Sequence, residues 1–429
     1  MAELSDARVV AEQTERDLER LSGADLVVGV ASYNSAETID GVIAACRAGF
    51  AGHFPGARAV IVHADGGSKD GTLERARQAA EGDPFLQVPY SIHPIDRLSD
   101  DLTSMPGKAS AHQTIFSVAQ KIGAKVCIVL SGAVRGVTPD RIERLASPIL
   151  EQEFDFVAPY YRRHKLDGGI GKGILDPMTR ALYGKRIRQA GPSEFGVSGR
   201  FADRCLAKET WNTDISSACG DLWLQLQALS GGFRICQTFL GTKVEHGGGS
   251  APDLSTILSQ LLGCLFGNMI DNAAIWQKTR GSEPVPVFGP PFESATEPAA
   301  VNLKRMVEAY RLGHRDLQGI WSMVLPPATL LELKKLAVRP DEQFRLEDQV
   351  WARTLFDFSL AYRLRTIGRD HLLRAFTPLY LGWAASFIRQ IQEAGSEDVE
   401  RHAEELCVTI ESQKPYLISR WRWPDRFNP

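Results

Sequence analysis

Between Asp25 and Ala158 short apolar runs, rich in β-branched residues, recur along the chain. Each is closed by a turn cluster and followed by a stretch of helical periodicity. The runs are Asp25–Ser32, Ala59–Asp65, Leu86–Ile92, Lys125–Leu130 and Phe154–Ala158. Helices are predicted over 36–48, 70–81, 108–122 and from Thr138-Pro139 onward. A strand that is apolar on both faces has to be covered on both. The alternation therefore predicts βαβ units and a mostly parallel sheet with helices on both faces, an α/β fold.

After Pro159 the pattern loosens into a glycine-rich, basic stretch, then resumes near Asp203 with helices and the strand Phe233–Phe239. A long apolar helix is expected over 252–276. Residues 281–298 carry five prolines and read as a linker. From 300 to 412 the periodicity is helical, and Trp321, Trp351, Trp383, Trp421 and Trp423 lie from there to the end, more in keeping with a core or an interface than with a ligand site. The expected organisation is an N-terminal helix (1–22), an α/β domain (23–280), a proline-rich linker (281–299) and a helical domain (300–429) that would form homodimer contacts, cover a site or bind another protein. With 44% hydrophobic and 24% charged residues over 429 positions, the chain has the make-up of a soluble globular protein. A net charge of -3 speaks against a nucleic-acid partner. Seven scattered cysteines without a CxxC pair suit reduced thiols and a cytoplasmic setting. Apolar runs such as Ile257–Ile270 and Leu379–Ile388 are read as too short or interrupted for a bilayer, and no GxGxxG follows the first strand.

Ligands of open α/β sheets bind beyond the carboxyl ends of the strands. Two such ends stand out: Val28-Gly-Val-Ala31-Ser-Tyr33-Asn34 and Asp65-Gly-Gly-Ser-Lys-Asp70-Gly-Thr72. A carboxylate there can accept from a base or ribose. It can equally organise an ordinary βα turn, with Asp70 or Ser68 capping the next helix. Lys108, at the start of a helix in Met105-Pro-Gly-Lys-Ala-Ser-Ala-His112, is placed to meet phosphate. From Tyr160 to Ala190 eight lysines and arginines stand against two aspartates, a basic loop suited to anions.

The first two motifs together resemble the opening of nucleotide-sugar-dependent glycosyltransferases of the GT-A fold. Further stretches narrow the likeness: Pro159–Gly169, Pro177–Gln189, Glu194-Phe-Gly-Val-Ser-Gly199, Gly220-Asp221-Leu-Trp and Leu240–His246. Over about 25–275 the chain resembles the mannosylglycerate synthase and glucosyl-3-phosphoglycerate synthase group. The resemblance implies a retaining hexosyltransferase that uses a UDP- or GDP-linked sugar and a small anionic acceptor. It places the nucleoside on Ala31, Tyr33, Asn34 and Asp65 and the diphosphate near Lys108, Arg135 and Arg188, with Ser131 and Ala133 also at the donor and Arg188 counted among the catalytic residues. Asp221 and Glu194 would position the acceptor hydroxyl, with Arg163, Asp167, Thr179, Tyr183 and Arg186 around the acceptor.

One departure bears on the chemistry. The fourth strand of this group ends in an Asp-x-Asp that holds Mg²⁺ or Mn²⁺, since a hard cation needs oxygen ligands. Here Ser131-Gly132-Ala133 stands in its place. Side-chain cations could replace the metal, other groups including His246 (or its neighbour Glu245) could hold it, or the protein could be a silent nucleotide-sugar binder. An inverting transferase for a polysaccharide or lipid-linked acceptor is the remaining alternative. Glu194 also replaces an aspartate of the group, moving the carboxylate by roughly 1 Å.

Overall fold

The computed structural model describes residues 18–21, 23–90, 107–191, 193–208, 219–242, 253–290 and 301–424. Ten strands lie among them: β1 (Leu26–Ser32), β2 (Ala59–Asp65), β3 (Phe85–Pro89), β4 (Val126–Ser131), β5 (Phe156–Arg162), β6 (Lys185–Arg186), β7 (Phe195–Ser198), β8 (Ile235–Thr242), β9 (Glu283–Pro284) and β10 (Val287–Phe288). Eight form one sheet in the order β10-β8-β5-β7-β4-β1-β2-β3. Only β7 runs antiparallel to its neighbours. This is the expected α/β class, a mostly parallel sheet with helices, and a helical region follows it in the chain.

Every residue of β1 is buried, which is why its sequence is continuously apolar. Leu26, Val28 and Val30 share a core with Ile39, Val42 and Ile43 of the helix Ile39–His53 and with Ile142 and Leu145 of the helix Pro139–Gln152. The other face carries the helix Lys108–Lys121 at close range. A side chain at Gly29 would bring its Cβ within 2.3 Å of Ile115 Cγ2, so only glycine lets that helix seat on the strand.

The chain forms two compact units that do not follow its order. The first comprises 1–162, 191–252 and 286–294, and the second 163–190, 253–285 and 295–429. The proline-rich stretch expected as a linker supplies strands instead: β10 pairs with β8 at the sheet edge, and β9 pairs with β6. The basic segment 163–190, expected as a loop of the α/β domain, belongs to the helical unit. The N-terminal helix expected over 1–22 lies almost wholly outside the described residues.

The second unit is helical around a tryptophan-rich core. Trp321, Trp351, Trp383 and Trp421 are buried, and Trp423 is exposed. The Trp351 indole donates to Gly173 O at 2.8 Å and draws the glycine-rich stretch inward. Lys165 donates to the carbonyls of Ile391, Gln392 and Ala394, which end the helix Thr377–Ile391. The run read as too short for a bilayer forms the helix Leu254–Asp271. By length and composition it is the one helix among the described residues long and apolar enough to cross a membrane. Leu258, Leu262, Leu265, Phe266 and Met269 on it are buried in this unit.

Candidate functional site

The first unit gathers its chemistry at the carboxyl edge of the sheet. The ends of β1 and β2 are stitched into one surface. Asp65 Oδ1 accepts from the backbone N–H groups of Gly67 and Ser68, each at 2.8 Å. Its Oδ2 accepts from the hydroxyls of Ser32 (2.8 Å) and Ser68 (2.7 Å). Four donors fill the roughly four lone-pair sites of a carboxylate. Asp65 is buried and organises the turn, while the Tyr33-Asn34 loop and Gly67 reach solvent. Asn34 sits at φ +48° and ties the loops together: its N–H donates to Ser68 Oγ and its Oδ1 accepts from Lys69 N. Asp70 accepts from Ala36 N and Thr72 N ahead of the helix Thr72–Ala79, whose N-cap is Gly71 rather than Asp70 or Ser68.

Behind these loops runs a directed chain of hydrogen bonds. Arg77 donates to Gln87 Oε1, and Gln87 Nε2 to His63 Nδ1. The Ser32 hydroxyl proton goes to Asp65, so His63 Nε2, 2.7 Å from Ser32 Oγ, must be the protonated nitrogen. Burial pushes the His63 pKa down to about 4, keeping the ring in this neutral form.

Ser131 ends β4 opposite Ala31. Gly132 is held against β1: its N–H donates to Ala31 O at 2.7 Å, and an added Cβ would lie 2.9 Å from Ser32 Cβ. Ser131 Oγ accepts from Ala133 N at 3.3 Å. The place of the two metal-binding carboxylates thus offers one neutral hydroxyl and one methyl. No group of three His, Cys, Asp or Glu side chains suited to an ion occurs among the described residues. This donor set does not fit a divalent cation. His246 and Glu245 lie outside the described residues.

The helices Lys108–Lys121 and Gly220–Ser230 run back from this edge and begin side by side, with Ala109 against Gly220. Neither start is capped by a side chain of its N-cap residue. Lys108 Nζ pairs with Asp221 Oδ2. The other oxygen, Oδ1, is buried without a hydrogen bond among the described residues, 3.5 Å from His112 Nε2. His112 is completely buried, neither ring nitrogen is hydrogen-bonded among the described residues, and its edge meets the Phe195 ring at 5.4 Å. Burial pushes its pKa down to about 4, against the pull of Asp221.

The remaining candidates divide between the units. In the first unit, Ala31 is buried, Ala133 is exposed, and exposed Arg135 pairs with exposed Glu37 at 3.1 Å. Glu194, expected at an acceptor hydroxyl, is fully buried and held by Arg141 Nη1 at 3.2 Å. Arg163, Asp167, Thr179, Tyr183, Arg186 and Arg188 all belong to the second unit. Thr179 and Tyr183 are buried there: Thr179 Oγ1 donates to Leu175 O, and the Tyr183 hydroxyl to Asn268. Asp167 accepts from His164 N. Arg188 pairs with Glu400, Lys185 with Glu283, and Arg180 with Glu404 and Glu411, while Arg186 donates to Ser282. Much of the local positive surplus is thereby engaged inside the helical unit. His63 and His112 escaped the sequence reading, although spacing marks both. His63 shares a strand face with Asp65 two residues on, and His112 shares a helix face with Lys108 four residues back.

No protein-family model matches the chain. None of the curated proteins matches it. Among solved structures it is similar to the glucosyl-3-phosphoglycerate synthase of Mycobacterium tuberculosis in complex with Mn²⁺, UDP and glucosyl-3-phosphoglycerate. The identity is 17% over 58% of this chain and 82% of that one, with a TM-score of 0.39. The same enzyme with Mn²⁺, UDP-glucose and phosphoglyceric acid aligns at 17% identity over 64% of this chain and 92% of that one, with a TM-score of 0.40. A structure described as a mycobacterial protein aligns at 17% identity over 60% of this chain and 78% of that one, also with a TM-score of 0.40.

Proposed function

We propose that the first unit binds a nucleotide diphosphate sugar, UDP- or GDP-linked, at the carboxyl edge of its sheet. On this reading the protein is a retaining hexosyltransferase whose acceptor is a small hydroxy acid such as glycerate or phosphoglycerate. The observation that carries it is Lys108, a largely buried ammonium paired with Asp221 where two helix starts adjoin in the first unit. Helix starts and a lysine together favour phosphate oxygens.

The chemistry follows from the residues. A leaving diphosphate needs positive charge as the glycosidic bond breaks and the sugar takes on oxocarbenium character. Lys108 and the helix dipoles supply that charge where a metal would stand in an Asp-x-Asp enzyme. Asp221 occupies Lys108 in the free protein, in the manner of an internal anion. Phosphate arriving on Lys108 releases the Asp221 carboxylate, which is then available to an acceptor hydroxyl or the developing positive charge. Asp65 acts through the loop it shapes.

Calorimetric titration with UDP-glucose and GDP-mannose, with Mn²⁺ and with a chelator, tests this directly. One donor should bind in the presence of chelator, and Lys108→Ala should weaken it by roughly ten- to a hundredfold. Incubation with glycerate or phosphoglycerate should yield a product whose anomeric configuration, read by NMR, matches the donor. Binding that requires Mn²⁺ would overturn the metal-independent site, and no binding of either donor would overturn the assignment. A second reading, a nucleotide-sugar binder without transfer, is favoured by Glu194, whose carboxylate is sealed against Arg141. Donor binding with neither hydrolysis nor transfer would select it.

A further inference from the structure

The second unit contains a cavity of about 430 Å³ that has no part in the reading above. It lies between the chain at Thr279–Gly281 and one face of the helix Lys414–Arg422, with Glu411 and Trp423 also in its wall. Its volume is in the range of small-molecule sites.

Three cations converge on this cavity: Arg280, Lys414 and Arg422. Among the described residues none of them makes a close ion pair with a carboxylate, although Glu411 attracts Lys414 from the same wall. Arg280 donates to the carbonyls of Gln277 and Thr279, and Arg422 to Gln277 Oε1. Lys414 is only 7% exposed, and its ammonium donates to Ala181 O at 2.5 Å and Thr279 O at 3.0 Å. Two carbonyls leave one of its three N–H donors unused. Burial, with Arg280 nearby, pulls the Lys414 pKa down to about 8, against the pull of the Glu411 carboxylate.

Two further features narrow the occupant. Glu411 Oε2 accepts from Arg180, but its Oε1 is buried with no hydrogen-bond partner among the described residues. A buried acceptor left unsatisfied is costly, and a hydroxyl would satisfy it. Trp423, 61% exposed, stands in the wall of the cavity and brings an aromatic surface to it.

We propose that this cavity is a binding site for a sugar phosphate, a phosphate monoester that also carries hydroxyls. The phosphate is taken by Arg280, Arg422 and Lys414, whose donors suit its oxygens. A hydroxyl donates to Glu411 Oε1, and the ring lies against Trp423. The site is independent of the donor site in the first unit.

Calorimetry on the full chain with glucose 6-phosphate, inorganic phosphate and glucose tests the proposal. Glucose 6-phosphate should bind saturably, inorganic phosphate about tenfold more weakly, and glucose not at all. The double change Arg280→Gln with Arg422→Gln should weaken both phosphates at least about tenfold. Glu411→Gln should cut the advantage of glucose 6-phosphate and leave inorganic phosphate unchanged. Trp423→Leu should weaken the sugar phosphate and leave inorganic phosphate unchanged. Near pH 8, binding should draw a proton from the buffer onto Lys414, read as an enthalpy that differs between Tris and Hepes. Lys108→Ala should change none of this. Absence of saturable binding to the folded wild-type chain would overturn the proposal. So would binding that Lys108→Ala abolishes while the arginine and tryptophan changes leave it intact.

Discussion

Lys108, Asp221 and His112 form a cluster whose balance a single substitution should shift. The Asp221 carboxylate is shared unequally, with one oxygen on the ammonium and the other 3.5 Å from a ring nitrogen that has no partner. Lys108→Met removes the ammonium and leaves the acid a single candidate partner. The His112 pKa, about 4 in the intact protein, should then rise by about two units, because an unshared anion favours the imidazolium. NMR titration of the ring proton reads this without any substrate, and an unmoved pKa would refute the coupling. At this scale the sequence was only partly legible. A lysine opening a helix and an acid opening another were visible as site candidates. Their mutual pairing was not, since 113 positions separate them. The Glu194–Arg141 pair was equally hidden, because no local pattern marks which arginine a buried acid will meet.

Among elements, the parallel strands were the easiest to read, since burial on both faces writes a continuous apolar run. β7 was missed as a strand because four residues containing a glycine carry too little periodicity. β10 was missed because its two residues sit among prolines, which an edge strand tolerates. The larger surprise was 163–190. Its charge suggested a solvent-facing anion loop, whereas Lys165 closes a helix end and Arg180, Lys185 and Arg188 meet acids of the same unit. Charge density does not tell whether a cation faces solvent or the carbonyls of a helix. Lys165→Met should destabilise the second unit by about 1–3 kcal/mol, because three carbonyls lose their donor. Hydrogen exchange should be faster in the last turn of Thr377–Ile391 than elsewhere in that helix. Unchanged protection there would mean that water replaces the ammonium at no cost.

At the scale of the whole molecule, the two units respond oppositely to acid. His63 and His112, both in the first unit, have pKa values near 4 against an ordinary 6.5. Below pH 6.5 the unfolded chain takes protons that the folded one refuses until about pH 4. The first unit should therefore lose about 3–4 kcal/mol between pH 7 and pH 5. In the second unit, burial raises the Asp357 pKa to about 7, against the pull of Arg420 and the Tyr416 hydroxyl. A raised acid adds stability that is complete below its unfolded value and lost as pH climbs through 7, so this unit gains on acidification. Denaturant unfolding at pH 5 should show two transitions, the first belonging to the α/β unit. Coincident transitions at both pH values would contradict this, and His63→Gln should reduce the acid sensitivity of the first transition.

The interleaving of the units has a consequence for synthesis on the ribosome. The outer edge of β8 is complete at residue 242, yet its partner β10 arrives only with residues 287–288. The carbonyls that Lys165 will meet are more than two hundred residues downstream of it. The nascent chain therefore carries an open sheet edge and an uncovered apolar segment for much of translation. These are the surfaces on which trigger-type chaperones act, so the yield of native protein should depend on elongation rate more than its final stability suggests.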